Sequence, residues 1–186
     1  VEGSRSIATA AVESGVKKMV HFSSVHAFEQ HPTSEPLVEA RPLVTDPKAL
    51  PYDRTKAEAQ KVVLGYRDQG LQVNVIHPTG IIGPYDFKPS RMGKVLRDIT
   101  NGNMPFAINN GFNWVDVRDV AWMHAEALER SELNGERLMM ATSPITMPNI
   151  ARHLKSNGYK VRTMALPNTI VKLMAIFIKE ARLVTQ

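Results

Sequence analysis

Apolar and polar positions in the first part of the chain follow helical and strand periods in turn. Residues 4–14 have helical spacing and end at Gly15, a residue that commonly terminates helices. An apolar run over residues 18–24 predicts a buried strand. Helical spacing returns over residues 52–66, and a second apolar run over residues 71–76 predicts another strand.

The order helix, strand, helix, strand indicates the α/β class. Because both strands are apolar almost throughout, the pattern predicts a parallel sheet that helices cover on both faces. Between the first strand and the second helix, residues 25–50 are rich in proline and polar residues and predict a long loop. Long loops within a compact domain are usually functional, so this loop is a candidate part of a site.

The remainder of the chain has a looser pattern. A helix is predicted over residues 91–100, with a short strand near Phe106 and a turn at residues 109–111. The change in pattern suggests a first domain over residues 1–83 and a second region over residues 84–186, in which a small lobe is mixed with returning sheet elements.

Two side chains are predicted to begin later helices. Asp119 is placed to cap a helix that runs to about Arg130, and Thr146 to cap one that ends at Gly158. Short oxygen-bearing side chains suit these positions because they accept hydrogen bonds from the first backbone N–H groups of a helix.

Composition excludes several functions. The chain of 186 residues has no cysteine, and its six histidines lack metal-binding spacing, so we expect no metal site. The net charge of +5 is spread along the chain without a basic and aromatic stripe, which argues against nucleic acid. The most apolar segment, residues 170–178, contains Lys172 and is too short to span a bilayer. We therefore expect no membrane partner and a cytoplasmic protein.

One spacing has a direct chemical use. Tyr52 and Lys56 are four residues apart, which places a phenol and an ammonium on one face of the predicted helix. A nearby cation favours the phenolate form of a tyrosine, so such a pair can exchange protons with a substrate near neutral pH. By itself the pattern also fits a solvated lysine beside an aromatic residue.

The flanking strands strengthen the functional interpretation. Ser24 lies at the end of the first predicted strand, and Pro78 follows the second. Open α/β sheets bind ligands at the carboxyl ends of their parallel strands, which is where both residues are expected. Ser24 could donate a hydrogen bond to a substrate carbonyl oxygen beside the tyrosine hydroxyl.

Four ordered motifs together resemble one protein family. They are Val20-His-Phe-Ser-Ser24, Tyr52-x-x-x-Lys56, His77-Pro-Thr-Gly-Ile-Ile-Gly-Pro84 and Trp114-Val-Asp-Val-Arg-Asp-Val-Ala121. From the first residue to about Thr146, the chain resembles extended short-chain dehydrogenases/reductases of the NAD-dependent epimerase/dehydratase type. The likeness is greatest to dihydroflavonol-reductase-like proteins. This resemblance implies the C-terminal part of a doubly wound Rossmann-type sheet with a small substrate-binding lobe.

The resemblance also implies roles for individual residues. Tyr52 would be the general acid/base, Lys56 would support it and bind the nicotinamide ribose, and Ser24 would orient the substrate oxygen. NAD or NADP would be the cofactor, with further contacts from Pro78, Thr79, Ile81 and, in a loop that varies within the family, Ser90.

Substrate contacts are less uniform within this family. The resemblance places four residues near the substrate: His26, Tyr85, Phe87 and Arg91. His26 could instead be a solvated loop residue, and the other three could pack a small C-terminal lobe. Asp116 and Asp119 are expected to fix a loop and cap the helix that follows rather than take part in catalysis.

The glycine-rich phosphate-binding turn of the family is absent from the sequence. The segment Gly80-Ile-Ile-Gly83 imitates half of it, but Pro84 follows and no helix is predicted there. The resemblance implies that the chain begins inside the helix after the fourth strand, lacks the adenosine half of the cofactor site and ends short of the usual C-terminal lobe. The residue that separates NAD from NADP normally follows the second strand, so it also falls outside this chain.

Three functions remain open from the sequence. The first is an NAD(P)-dependent oxidoreductase that acts on a small ketone or secondary alcohol. The second is a nucleotide-sugar epimerase or dehydratase with the same three catalytic residues. The third is a truncated or cofactor-sensing module without turnover. The family often dimerises through the helices represented here by residues 4–14 and 52–66, which implies a possible homodimer.

Overall fold

The computed structural model describes residues 1–167 and 169–170. Residues 171–178 of the apolar segment 170–178 lie outside the described residues. The helices in the described part are α1 (Glu2–Glu13), α2 (Pro51–Leu64), α3 (Arg91–Thr100), α4 (Val117–Glu129) and α5 (Met147–Ser156). The strands there are β1 (Lys18–Phe22), β2 (Gln72–Pro78), β3 (Gly80–Ile82), β4 (Phe106–Ile108), β5 (Gly111–Asp116), β6 (Arg137–Met140), β7 (Pro144–Thr146) and β8 (Met164–Leu166).

The chain forms two compact units. Of the described residues, the first unit contains 1–81 and 115–141, and the second contains 82–114, 142–167 and 169–170. The first unit is therefore formed by two separate stretches of the sequence, and the first stretch of the second unit lies between them.

A three-stranded parallel sheet in the order β1-β2-β6 forms the centre of the first unit. Lys18 is level with Gln72 at the start of the β1–β2 pair, and Phe22 is level with Ile76 at its end. The β2–β6 pair ends where Pro78 is level with Met140. All three strands point the same way, so their carboxyl ends meet at one edge.

Helices cover both faces of this sheet. Val73 and Val75 of β2 are fully buried in one cluster with Ala8 of α1 and Val63 of α2. The intervening residue Asn74 points to the opposite face, because successive strand residues alternate. Its side chain hydrogen-bonds the carbonyl of a residue in α4. This arrangement confirms the prediction of a doubly wound α/β sheet.

Both predicted strands have slightly different ends in the structure. Strand β1 ends at Phe22 because Ser24 caps a short 3₁₀ helix, Val25–Ala27. Strand β2 continues through Pro78, beyond the predicted end at residue 76. A proline is tolerated at the end of a strand, and the next residue, Thr79, restores the ladder by donating its N–H to the Met140 carbonyl at 3.0 Å.

The predicted loop over residues 25–50 is anchored rather than free. A single antiparallel bridge joins Phe28 to Leu43. Both side chains are buried in one cluster with Ala57 of α2. The loop thus packs against the helix that carries Tyr52.

The predicted cap of α4 is wrong. Asp116, not Asp119, caps this helix, because its carboxylate accepts the Arg118 backbone N–H at 2.8 Å. Hydrogen bonds from the Arg118 side chain and backbone lower the pKa of Asp116 to about 2. Asp119 lies one turn further on, in the first turn of the helix. The prediction for Thr146 is confirmed, since its side chain accepts a backbone N–H at the start of α5.

The second unit has a small core of its own. Ile99 of α3, Ala151 of α5 and Val161 are buried together. Strands β4 and β8 pair in parallel, whereas β5 and β7 pair antiparallel.

Candidate functional site

Tyr52 and Lys56 lie on the first turns of α2, at the carboxyl end of β1. The Lys56 ammonium is 5.9 Å from the centre of the Tyr52 ring and the same distance from the Phe22 ring. It also donates to the Phe22 carbonyl at 3.4 Å, which fixes it at the end of the strand. Tyr52 is 54% exposed, so a ligand can reach its ring. The predicted spacing therefore gives an accessible phenol beside a cation.

Ser24 reaches the same place from the end of β1. Its buried side-chain oxygen accepts the His26 backbone N–H at 3.2 Å. The His26 ring in turn meets the Tyr52 ring edge to face, with centroids 5.7 Å apart. His26 thus links the serine to the tyrosine, and the structure brings these three predicted residues together.

Asp53 was not predicted as a site residue. Its carboxylate Oδ1 is 3.2 Å from Nδ1 of His26, although the two groups are not aligned as a hydrogen bond. The Asp53 side chain is 10% exposed, whereas that of His26 is 51% exposed. Its position carries little signal in the sequence, since an acidic residue in the first turn of a helix usually faces water and interacts favourably with the helix dipole.

A buried polar layer lies beneath these residues. Gln60 of α2 is fully buried, and its Oε1 accepts a hydrogen bond from Ser23 Oγ at 2.9 Å. The same oxygen is 2.9 Å from His77 Nε2. The His77 ring also packs on Phe28 with centroids 4.6 Å apart. This layer ties the end of β1 to the end of β2 and to the helix that bears Tyr52 and Lys56.

Two histidines of the first unit are held neutral at pH 7. Burial, with a smaller contribution from the Lys56 charge, lowers the pKa of His21 to about 4. Burial likewise lowers the pKa of His77 to about 4, opposed in part by a hydrogen bond to the Leu138 backbone. Neither imidazole therefore competes with Lys56 as a cation at this edge of the sheet.

Three predicted cofactor contacts of the first unit lie at the end of β2 or just after it. Pro78 is buried at the end of the strand, and Ile81 is half-buried in β3. Thr79 is engaged by the sheet, since its hydroxyl donates to the Met140 carbonyl at 3.1 Å.

The other predicted site residues belong to the second unit and lie close together in the sequence, between residues 85 and 91. Tyr85 is 77% exposed with a φ of 69°, Phe87 is 88% exposed, and their rings are 6.1 Å apart. Arg91 is exposed at the start of α3. Ser90 caps α3 by accepting the Gly93 N–H at 3.0 Å, and its hydroxyl donates to a carboxylate at 2.9 Å. Those bonds already use the Ser90 hydroxyl.

A search of the described residues for groups of three or more His, Cys, Asp or Glu that could hold a metal ion finds none. Among the same residues, no helix is both long and apolar enough to cross a membrane.

Comparison with known proteins identifies relatives over most of the chain. The chain is 28% identical over 177 residues to "Sterol demethylase protein B" of Methylococcus capsulatus. The matched region covers 95% of this chain and 53% of that protein. The chain is 29% identical over 159 residues to "Putative dihydroflavonol 4-reductase" of Synechocystis, which covers 84% of this chain and 46% of that protein. The chain thus spans about half the length of these curated relatives.

Solved structures give the same result for the fold. The crystal structure of gox2253 matches with a TM-score of 0.80 and 32% identity, over 95% of this chain and 54% of that one. A UDP-glucose 4-epimerase of Thermus thermophilus in complex with NAD matches with a TM-score of 0.71 over 87% of this chain and 55% of that one; at 20% identity it supports the fold alone.

One family model matches most of the chain. The family model of the NAD-dependent epimerase/dehydratase family matches residues 1–141, which include every strand of the parallel sheet and the Tyr52–Lys56 pair. A dihydroflavonol-reductase relative agrees with the expected branch, and the family description agrees with a nicotinamide cofactor. The chain therefore belongs to the NAD-dependent epimerase/dehydratase family.

Proposed function

We propose that the protein containing this chain is an NAD(P)-dependent oxidoreductase that interconverts a ketone and a secondary alcohol. The observation that carries the proposal is the exposed Tyr52 ring with the Lys56 ammonium 5.9 Å from its centre. Ser24 is linked to the same ring through His26. A proton donor, a cation and a hydroxyl group are thus available on one side of the sheet edge.

Each of the three residues has a separate task in this proposal. Tyr52 gives its hydroxyl proton to the carbonyl oxygen during reduction and takes it back during oxidation. Lys56 stabilises the phenolate that remains. Ser24 donates a hydrogen bond to the same substrate oxygen and holds it toward Tyr52.

The residues of this chain fit the nicotinamide half of the cofactor better than its adenosine half. Lysine has three N–H donors, and among the described residues Lys56 has a hydrogen bond only to the Phe22 carbonyl. It can therefore also donate to ribose hydroxyls, while Pro78 and Ile81 offer apolar surface for a ring. Thr79 donates its hydroxyl hydrogen to Met140, so the two lone pairs of this oxygen could accept hydrogen bonds from the cofactor. When bound, the nicotinamide supplies or accepts the hydride.

The substrate side of the proposal includes His26 from the first unit. Tyr85, Phe87 and Arg91 of the second unit are proposed to contact the substrate, since all three are exposed in the segment before and at the start of α3. Ser90 is the weakest of the proposed cofactor contacts because its hydroxyl caps α3.

The test is turnover of the intact protein with NADH and NADPH against a panel of small ketones, which includes methylglyoxal and a dihydroflavonol. We expect Tyr52→Phe to lower kcat by at least about 100-fold while cofactor affinity stays within about twofold. Lys56→Ala should lower both kcat and cofactor affinity. Lys61→Ala on the same helix is the matched control. Activity retained in Tyr52→Phe would refute the proposed role of the tyrosine.

The same assay separates the other possible activities. Interconversion of UDP-glucose and its 4-epimer without net change in NADH would replace the oxidoreductase by an epimerase. Absence of cofactor binding by the intact protein would contradict both enzyme proposals and favour a non-catalytic module.

A further inference from the structure

We infer that Asp53 is a positioning residue for His26, and that the pair provides a hydrogen-bond acceptor for a substrate hydroxyl next to the reacting carbonyl. This inference rests on the proposed function, since it assumes that substrate lies against Tyr52. It adds a residue that no sequence motif indicated and narrows the substrate to hydroxylated carbonyl compounds.

The first support is the burial of Asp53. A carboxylate with a 10% exposed side chain loses most of its hydration, and such groups are normally paired or hydrogen-bonded. Its Oδ1 has no aligned hydrogen bond within the described part of the chain, and its neighbour at 3.2 Å is Nδ1 of His26. A small rotation of the imidazole would align an Nδ1–H donor with this oxygen. Hydrogen bonds at active sites are often poorly aligned without substrate and tighten when it binds.

The second support is the position of the histidine ring. The two nitrogens lie on different edges of an imidazole, so directing Nδ1 to Asp53 turns Nε2 away from it. The His26 side chain is 51% exposed, and the polar contacts of His26 within residues 1–167 and 169–170 use its backbone N–H and its Nδ1 rather than Nε2. The ring also packs edge to face on Tyr52 at 5.7 Å. Nε2 is therefore an open polar atom beside the proposed proton donor.

The consequence is a defined tautomer. An ionised carboxylate only accepts hydrogen bonds, so Asp53 requires the hydrogen on Nδ1. Nε2 of the neutral ring then carries a lone pair and can accept a hydrogen bond from a hydroxyl group. Ser24 would bind the reacting oxygen at the same time. The 3.2 Å hydrogen bond from the His26 backbone N–H holds the Ser24 side chain next to His26. A substrate with a hydroxyl on the carbon next to its carbonyl would bind Ser24 through the carbonyl oxygen and His26 Nε2 through the hydroxyl.

The first experiment needs no substrate. In the intact protein labelled with ¹⁵N-histidine, nitrogen NMR should show His26 with its hydrogen on Nδ1. In Asp53→Asn this preference should weaken or be lost, whereas it should persist in the control Asp68→Asn, which changes an exposed carboxyl. A hydrogen on Nε2 in the unmodified protein would overturn the inference, as would an unchanged tautomer in Asp53→Asn.

The second experiment measures coupling with two probe substrates, hydroxyacetone and acetone. We expect Asp53→Asn and His26→Gln each to lower the ratio of kcat/KM for hydroxyacetone to kcat/KM for acetone by about tenfold. The double variant should lose no more than His26→Gln alone, because Asp53 acts through His26. Additive losses, or equal losses on both ketones, would show a merely structural role and overturn the inference.

The two levels of proposal fail in different ways. If Tyr52→Phe is inactive and Asp53→Asn retains full activity on hydroxyacetone, only the present inference is wrong. If Tyr52→Phe retains activity, the proposed function is wrong, and the NMR experiment still tests whether Asp53 orients His26. A urea unfolding curve for each variant shows whether a loss of activity comes from unfolding.

Discussion

The buried amide of Gln60 offers a quantitative test of what holds the site in place. Its Oε1 accepts the Ser23 hydroxyl at 2.9 Å and lies 2.9 Å from His77 Nε2, all in a region closed to water. In Gln60→Leu the side-chain volume is nearly kept, but two buried polar groups lose their partner. Each such loss costs about 1–3 kcal/mol, which gives about 2–6 kcal/mol in all.

One opposing effect reduces this figure. Within the described residues, the buried Gln60 Nε2 group has no hydrogen-bond partner, and its replacement by a methyl group removes the cost of burying it. We therefore expect Gln60→Leu to lower the free energy of unfolding by about 3 kcal/mol. The assay is urea unfolding at pH 7 of the intact protein, followed by tryptophan fluorescence and circular dichroism. Gln69→Leu is the matched control, since this glutamine of the same segment is exposed.

A double variant tests the reasoning further. Ser23→Ala removes the hydroxyl that Gln60→Leu would leave without a partner, so the double variant should lose less than the sum of the single losses. A loss below about 1 kcal/mol in Gln60→Leu would refute the argument, because it is smaller than the cost of one buried unpaired group. Strict additivity would show that the serine and the glutamine do not act as a pair.

Two other predictions concern pH and backbone packing. His21 binds a proton at pH 6.5 when unfolded but only at about 4 when folded, so stability is complete above pH 6.5 and falls as the pH drops toward 4. Allowing for residual solvent contact, we expect His21 to contribute about 2 kcal/mol to this loss, in addition to the contribution of His77. Urea unfolding at both ends of this range should show a loss that is smaller by that amount in His21→Asn and unchanged in the exposed control His153→Asn. Gly93→Ala should destabilise by about 1 kcal/mol in thermal unfolding, because its Cβ would collide with Asp86 Oδ2. At Gly65 no atom of the described residues would lie within 4 Å of the new Cβ, so Gly65→Ala should instead stabilise by about 0.5 kcal/mol, and equal effects of the two would contradict the packing argument.

Local sequence patterns were sufficient for the first four elements of the chain, but not for β6, the third strand of the parallel sheet. Helical and strand periods reflect which positions are buried, so they located α1, β1, α2 and β2 to within about two residues at most ends. The boundary errors have a local physical cause. A side-chain cap by Ser24 shortened β1, and the N–H of Thr79 allowed β2 to continue past a proline.

The misplaced cap of α4 shows the limit of such patterns. Both Asp116 and Asp119 are suitable capping residues by type. The choice between them depends on which carboxylate meets a free backbone N–H, and that is set by where the chain leaves β5. A one-turn difference of this kind cannot be read from residue identity.

The family, the parallel sheet and the shared face of Tyr52 and Lys56 could be predicted from the sequence, because helix geometry alone places residues four apart on one face. Which polar groups contact one another depends instead on how the elements pack. Asp53 reaches His26, and Gln60 joins Ser23 to His77, across 27, 37 and 17 residues of sequence respectively. Those contacts follow from the packing of α2 against the ends of two strands, and burial strengthens the hydrogen bonds of Gln60.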